Sequence, residues 1–199
     1  MSKYEKITEY QYENKQIRDS LLSLISRALS ERGINIVVDY EDGILRLNNE
    51  SLMFDVGEYK LDEQYRNNLV EIASVLNDLI PCYTYSPQDF LNCDPNLKGR
   101  VDLIFIEGHT DGVPLGPKLR KLYNDNLELS TRRANYTYRI MVENYDSLSR
   151  MKNSSNYPIF SVSGYGENRP VPIKGKEESV NDSANRRIDI RFLMAIPKI

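Results

Sequence analysis

The hydrophobic positions of this chain follow helical and alternating patterns that predict an ordered series of elements. Apolar residues recur at helical spacing in three segments, which predicts helices over 5–32, 61–80 and 126–145. Shorter apolar or alternating runs predict strands at 34–40, 44–47, 101–106, 159–162 and 187–193. This order predicts an α+β fold with one mixed sheet and helices packed on one face.

The same pattern predicts one domain with an N-terminal extension. We place a helix and linker at 1–33 and the main domain at 34–199. The first dozen or so residues lack an apolar stripe, which is typical of a frayed helix end or a linker. Residues 146–157 are polar and predict a linker, and the last strand alternates polar with apolar residues, which predicts a half-exposed strand.

Composition narrows the class of protein. The chain has 199 residues, of which 40% are hydrophobic and 28% charged, as in soluble globular proteins. Its 26 basic and 29 acidic residues give a net charge of −3, which gives no support for a nucleic-acid partner. We find no apolar run of about 18 residues and no signal peptide, so we expect a cytosolic protein or the excised soluble part of a longer one.

The two cysteines, Cys82 and Cys93, lie 11 positions apart in a loop-like segment that contains Pro81, Pro87 and Pro95. A disulfide between them would stabilise the fold by roughly 3 kcal/mol and would imply an oxidising compartment. Two unpaired thiols are the alternative. The sequence has no Cys-x-x-Cys pair and a single histidine, so we predict no zinc site and no other metal or cofactor.

The charges Asp111 and Arg133 are the candidate binding residues. Asp111 follows an apolar strand, and Arg133 lies 22 positions later (133 − 111), one turn into the next helix. The carboxylate favours a cation, while the guanidinium and the helix start favour an anion, so together they suit a free amino-acid end. From these residues alone, a structural Asp–Arg pair or two solvated charges is the alternative.

Two neighbouring residues are weaker candidates. His109 has no partners in the sequence for acid–base or metal chemistry, so we expect it to form a local hydrogen bond beside the site. Glu107 either serves the ligand or forms a structural hydrogen bond. With no nucleophile or metal set, we predict that the protein is not an enzyme.

Five segments, in order over roughly 34–194, resemble the motifs of OmpA-like peptidoglycan-binding domains. They are Phe54–Gly57 with Leu61, Gly108–Asp111, Asn126–Ala134, Gly164–Pro170 and Ala184–Ile190. Within that family, Asp-Gly-Val-Pro after Gly-His-Thr, together with Asn-x-Glu-Leu-Ser, looks most like flagellar stator subunits of the MotB type. It is also similar to the ZorB-type subunits of Zorya anti-phage systems.

The resemblance implies roles for individual residues. Asp111 would receive the ammonium of diaminopimelate in a peptidoglycan stem peptide, and Arg133 would bind its carboxylate. Thr110 and Asn126 would support them. One of the adjacent arginines, Arg186 and Arg187, would do so too.

The resemblance also implies a non-catalytic anchor that fixes an ion-driven stator to the cell wall. Such a protein would be the periplasmic domain of an inner-membrane-anchored homodimer, joined to a MotA- or ZorA-like channel subunit through an N-terminal segment. An outer-membrane-associated OmpA or lipoprotein-type anchor without a motor is the alternative. The loop at 82–100 is longer than usual in the family and the loop at 112–125 is more basic, which we interpret as solvated insertions rather than subfamily contacts.

Overall fold

Five strands form one mixed sheet in the computed structural model, which describes residues 2–85, 93–171 and 183–196. They are β1 (Val37–Asp39), β2 (Ile44–Leu47), β3 (Val101–Gly108), β4 (Phe160–Gly164) and β5 (Ile188–Met194). The strands lie in the order β1-β2-β5-β3-β4, with β3 parallel to β4 and every other pair antiparallel. The predicted α+β class with a mixed sheet is confirmed.

Three long helices and one short helix accompany the sheet. They are α1 (Lys3–Glu31), α2 (Glu63–Leu79), α3 (Asn126–Asn144) and α4 (Ser147–Arg150). The short helix α4 lies where a polar linker was predicted, and it forms because Leu148 is buried in the core. None of the helices in the described ranges combines the length and apolar character needed to cross a bilayer.

The first helix, α1, is capped at its start and buried near its end. The Ser2 hydroxyl accepts a hydrogen bond from the Glu5 amide at 3.2 Å, and the Glu5 carboxylate accepts one from the Ser2 amide at 2.6 Å. This capping box stabilises the first turn, so the expected fraying is not seen. Further along, Leu21, Ile25 and Leu29 are fully buried in the same core as the sheet.

One hydrophobic core lies between the sheet and the helices. Alternate residues of the two central strands point into it, among them Ile104, Ile106, Ile188, Ile190 and Phe192. Leu52 and Phe54 are also fully buried, although the segment around them forms no strand. Alternation along the strands therefore turns one face of the sheet toward the helices. The opposite face carries Glu107, Asp189 and Arg191 beside Phe105 and Leu193, and we call it the polar face for its buried charges.

The polar face of β5 is less exposed than the sequence predicted. Asp189 is only 1% exposed, and it accepts hydrogen bonds from Arg46 at 3.0 Å and from Arg187 at 3.1 Å. On the same face Arg191 binds Glu107 at 2.9 Å. The prediction of a half-exposed strand is wrong for its first residues, because β5 lies between β2 and β3 and arginines cover its carboxylate.

Helix α3 rests directly on a pair of glycines, Gly108 of β3 and Gly164 of β4, which lie opposite each other. A Cβ at Gly108 would lie 2.1 Å from the Ser130 carbonyl oxygen, and one at Gly164 would lie 2.6 Å from the Thr131 amide. Only glycine therefore permits this approach of helix to sheet. The Gly166 amide also donates to the Ser130 hydroxyl at 2.9 Å, which fixes the turn after β4 against the helix.

A disulfide joins Cys82 and Cys93, whose Cα atoms are 5.3 Å apart. Cys82 lies in a 3₁₀ turn that follows α2, and Cys93 precedes β3. Residues 86–92, most of the enclosed loop, fall outside the described ranges.

We predict that Gly108→Ala lowers the free energy of unfolding by about 2 kcal/mol or more, because the new methyl group meets helix backbone that cannot rotate away. Gly116→Ala is the matched control, since a Cβ there meets nothing within 4 Å. Urea unfolding followed by circular dichroism measures both. Equal stability of the two variants would contradict the glycine contact.

Candidate ligand-binding site

The strand ends next to α3 are held side by side by backbone hydrogen bonds. The His109 amide donates to the Arg187 carbonyl at 3.0 Å, and the Thr110 amide donates to the Gly166 carbonyl at 2.9 Å. The Tyr165 amide donates to the Gly108 carbonyl at 3.0 Å. The loop after β3, the turn after β4 and the residues before β5 therefore form one frame.

Within this frame Asp111 pairs with Arg186 and not with Arg133. The Arg186 Nη1 atom lies 2.6 Å from Asp111 Oδ2, and both side chains are largely buried. The other oxygen, Oδ1, accepts only a long bond of 3.4 Å from the Val113 amide in the described part of the chain. Asp111 therefore keeps an oxygen that can accept a further hydrogen bond.

Arg133 is fully buried and held by backbone carbonyls. Its Nε donates to the Glu58 carbonyl at 2.8 Å, and its Nη2 donates to the Asp55 carbonyl at 3.0 Å. The guanidinium also lies 5.0 Å from the ring centre of Phe54. Its Nη1 is buried without a hydrogen-bond partner among the described residues. One strong donor is thus positioned and left open.

The charges of Arg133, Arg186 and Asp111 influence one another. The pKa of Arg133 is lowered to about 10, first by burial and then by the neighbouring Arg186, while Asp111 acts in the opposite direction. A guanidinium with this pKa stays protonated at neutral pH. The three groups therefore act as one electrostatic unit without an ion pair between Asp111 and Arg133.

Of the other predicted site residues, Asn126, Thr110 and Arg186 lie beside Asp111, whereas the Arg187 side chain does not. Asn126 donates to the carbonyls of Asp111 at 3.4 Å and Val113 at 3.3 Å, so it shapes the loop after β3. The Thr110 hydroxyl is buried and has no partner in the described ranges, so it is available beside Asp111. Arg187 instead binds Asp189 on the polar face of the sheet. Of the two adjacent arginines, the structure brings Arg186 to Asp111.

The start of α3 offers fewer free amide donors to a ligand than the sequence suggested. The helix begins at Asn126, so Arg133 lies about two turns into it rather than one. The N-terminal amide of Glu128 is already bound by the Asp125 side chain at 2.8 Å. This helix cap occupies a donor that was expected to face the ligand.

Sequence reasoning missed the cradle that holds Arg133, which is formed by carbonyls of 55–58. Gly57 in this segment has a φ of +76°, and a Cβ there would lie 2.5 Å from Leu119 Cδ1. Leu119 belongs to the loop at 112–125, which also packs through Leu115 and Tyr123. The Phe54–Gly57 motif was the available signal, because its glycine permits the turn that presents these carbonyls.

A separate buried cluster lies on the polar face of the sheet. Within the described ranges, Glu107, His109 and Asp189 are the one group whose potential metal-ligand atoms all lie within 4.8 Å of one another. Arg191 already binds Glu107, and Arg46 and Arg187 already bind Asp189. This excess of guanidinium charge disfavours a metal cation, so we interpret the cluster as structural.

His109 is neutral in this cluster. Burial lowers its pKa to about 2, and the nearby arginines, with Arg187 first, act in the same direction. His109 Nε2 lies 3.4 Å from Asp189 Oδ2, but neither ring nitrogen forms a well-aligned hydrogen bond in the described part of the chain. The imidazole instead stacks on Tyr165, whose hydroxyl donates to Glu107 at 3.2 Å.

Comparison with solved structures identifies the fold. A putative MotB-like protein from Desulfovibrio vulgaris is 19% identical over 94% of this chain and 98% of its own, with a TM-score of 0.58. The cell wall anchor of the T6SS from Pseudomonas aeruginosa is 14% identical over 88% and 97%, with a TM-score of 0.53. The periplasmic domain of Helicobacter pylori MotB is 22% identical over 76% and 81%, with a TM-score of 0.50.

The fold is OmpA-like and resembles that of MotB periplasmic domains. No protein-family model and no curated protein matches the sequence. At these identities the likeness establishes the OmpA-like fold alone. The function of this chain therefore has to be argued from its own residues.

The depressed pKa of His109 predicts a pH-dependent stability. Above pH 6.5, the ordinary pKa, histidine is neutral in both the folded and the unfolded chain; below it only the unfolded chain binds the proton. Stability is therefore fully present above pH 6.5 and falls with pH toward about 2, by up to about 1.4 kcal/mol per unit.

Urea unfolding of wild type and His109→Gln between pH 7.5 and 4.5 tests this. Carboxylates titrate in both proteins, so their effect cancels in the comparison. The stability of wild type relative to His109→Gln should therefore fall as the pH falls, because only wild type has the histidine. Because the chain has one histidine, NMR can follow its ring protons without overlap. A ring titration near pH 6.5 in the folded protein would contradict the buried neutral state.

Proposed function

We propose that this protein binds peptidoglycan without catalysis and anchors a larger assembly to the cell wall. The observation that carries the proposal is the unpaired, buried Nη1 donor of Arg133 near the Asp111 carboxylate, whose Oδ1 accepts only the long bond from Val113 among the described residues. A buried unpaired donor is costly, and a ligand carboxylate would satisfy it. An ammonium group would satisfy Asp111.

The ligand we propose is the free end of diaminopimelate in a stem peptide, which carries one ammonium and one carboxylate. Arg133 would bind the carboxylate through Nη1 while its other donors stay on the carbonyls of Asp55 and Glu58. Asp111 would bind the ammonium through Oδ1, and the Thr110 hydroxyl would donate or accept beside it. A receptor whose arginine is already oriented loses little side-chain entropy on binding.

The assembly we propose is the stator of an ion-driven motor, of a flagellar MotB-like or an anti-phage ZorB-like kind. The likeness to the putative MotB-like protein covers nearly the whole of both chains, which supports this choice. The Cys82–Cys93 disulfide supports a periplasmic location, because disulfides persist in oxidising compartments. In this proposal the protein is a homodimer joined to a membrane-embedded channel subunit through a segment N-terminal to α1.

The site variants Asp111→Asn and Arg133→Gln should each weaken binding of a meso-diaminopimelate stem tetrapeptide by about 10-fold or more, because a charge-assisted hydrogen bond contributes about 1.5–3 kcal/mol. Calorimetry or NMR titration measures the affinity. Arg132→Gln is the matched control, since that exposed arginine of the same helix pairs with Glu128 at 2.8 Å. If Arg133→Gln does not fold, Asp111→Asn alone tests the site. Unchanged affinity of Asp111→Asn for the peptide would show that the site is wrongly assigned.

Ligand selectivity offers a test that needs no variant. A stem tetrapeptide with lysine in place of diaminopimelate keeps the ammonium but lacks the carboxylate that Arg133 would bind. We expect it to bind wild type about 10-fold or more weakly than the diaminopimelate peptide. Equal affinities for the two peptides would show that Arg133 does not bind the ligand carboxylate.

A further inference from the structure

The candidate site holds one guanidinium more than a free amino-acid end requires. Asp111 contributes one negative charge, and Arg133 and Arg186 contribute two positive charges, so the three sum to one net positive charge. An amino-acid end brings one ammonium and one carboxylate and leaves that charge in place. The carboxylate of Glu58, which also acts on Arg133, belongs to an exposed residue and acts more weakly than Arg186 and Asp111.

Arg186 can take a further ligand group without releasing Asp111. Only its Nη1 atom reaches Asp111, at 2.6 Å, and a guanidinium has five N–H donors. Its Nε is buried and has no hydrogen-bond partner in the described part of the chain. The side chain as a whole is 19% exposed, so Arg186 lies at the rim of the site, nearer the surface than the fully buried Arg133.

We propose that Arg186 forms a second carboxylate subsite, so that the site selects stem peptides carrying a free carboxylate in addition to the amino-acid end. Such a ligand brings a net charge of −1 and neutralises the candidate site. A guanidinium binds a carboxylate through paired charge-assisted hydrogen bonds, whereas a carboxamide offers one weaker acceptor. This inference rests on the proposed function, because it concerns the same ligand and the same site.

Two carboxylates of a stem peptide could fill the subsite. One is the α-carboxylate of the D-glutamate that precedes diaminopimelate, and the other is the C-terminal carboxylate. Both share the chemistry that Arg186 would recognise, and each can be converted separately to a carboxamide. Either conversion leaves the ammonium and carboxylate of the diaminopimelate end intact.

The test uses three synthetic tetrapeptides, L-Ala-γ-D-Glu-meso-diaminopimelate-D-Ala and its two single carboxamides, titrated into the full 199-residue chain. Wild type should bind one of the carboxamides about 10-fold or more weakly than the parent, which identifies the carboxylate. In Arg186→Gln that difference should fall to about 2-fold or less. Arg186→Lys keeps the positive charge but not the planar guanidinium with its paired donors, so it should retain part of the affinity difference.

Lys118→Gln is the matched control, because it removes one exposed positive charge from the loop at 112–125 and should keep the full difference. Equal affinity of wild type for all three peptides would overturn the subsite. A difference between the peptides that persists in Arg186→Gln would also overturn it. So would tighter binding of the parent peptide by Arg186→Gln, because Arg186 would then only compete with the ligand for Asp111. If wild type binds none of the three, the proposed function fails first.

Discussion

The close contact between α3 and the glycine pair Gly108 and Gly164 is the constraint on which the rest of the structure depends. It brings helix backbone against strand backbone with no side chain between them. Thr110 and Asp111 follow β3 directly in the chain, and Asn126 and Arg133 belong to α3. A shift of the helix by the width of a methyl group would move Arg133 relative to Asp111, and positioning errors of about 1 Å are costly in binding sites.

The two arginines of the candidate site, Arg133 and Arg186, are held in different ways. Arg133 is placed by fully buried contacts with backbone carbonyls, which leave its side chain one orientation. Arg186 is placed at the rim by a single ion pair with Asp111. The buried arginine suits the invariant part of a ligand, whereas the rim arginine can respond to what else the ligand carries. Because Asp111 pairs with Arg186 and not with Arg133, the proposed ligand would bind Asp111 through Oδ1 and Arg133 through Nη1.

The polar face of the sheet carries a buried network of charges next to the candidate site. Glu107, Asp189 and neutral His109 are buried among arginines directly beneath the loop that carries Thr110 and Asp111. Burying one partner of such a network without the other costs several kcal/mol, so the network resists local rearrangement. Burial first and the arginines second keep His109 neutral, and the same arginines disfavour a metal ion at Glu107 and Asp189. The chemistry of this face is therefore structural support.

The spacing of apolar residues was enough to predict the helices, the strands and the α+β class, because that spacing follows directly from backbone geometry. The motif at Gly108–Asp111 and the helix that carries Arg133 could also be predicted, since both depend on residues that are neighbours in the chain. Which charged side chains meet could be seen only in the folded chain. The choice of Arg186 over Arg187, the carbonyl cradle of Arg133 and the burial of Asp189 all depend on contacts between segments distant in the chain, which no local pattern encodes.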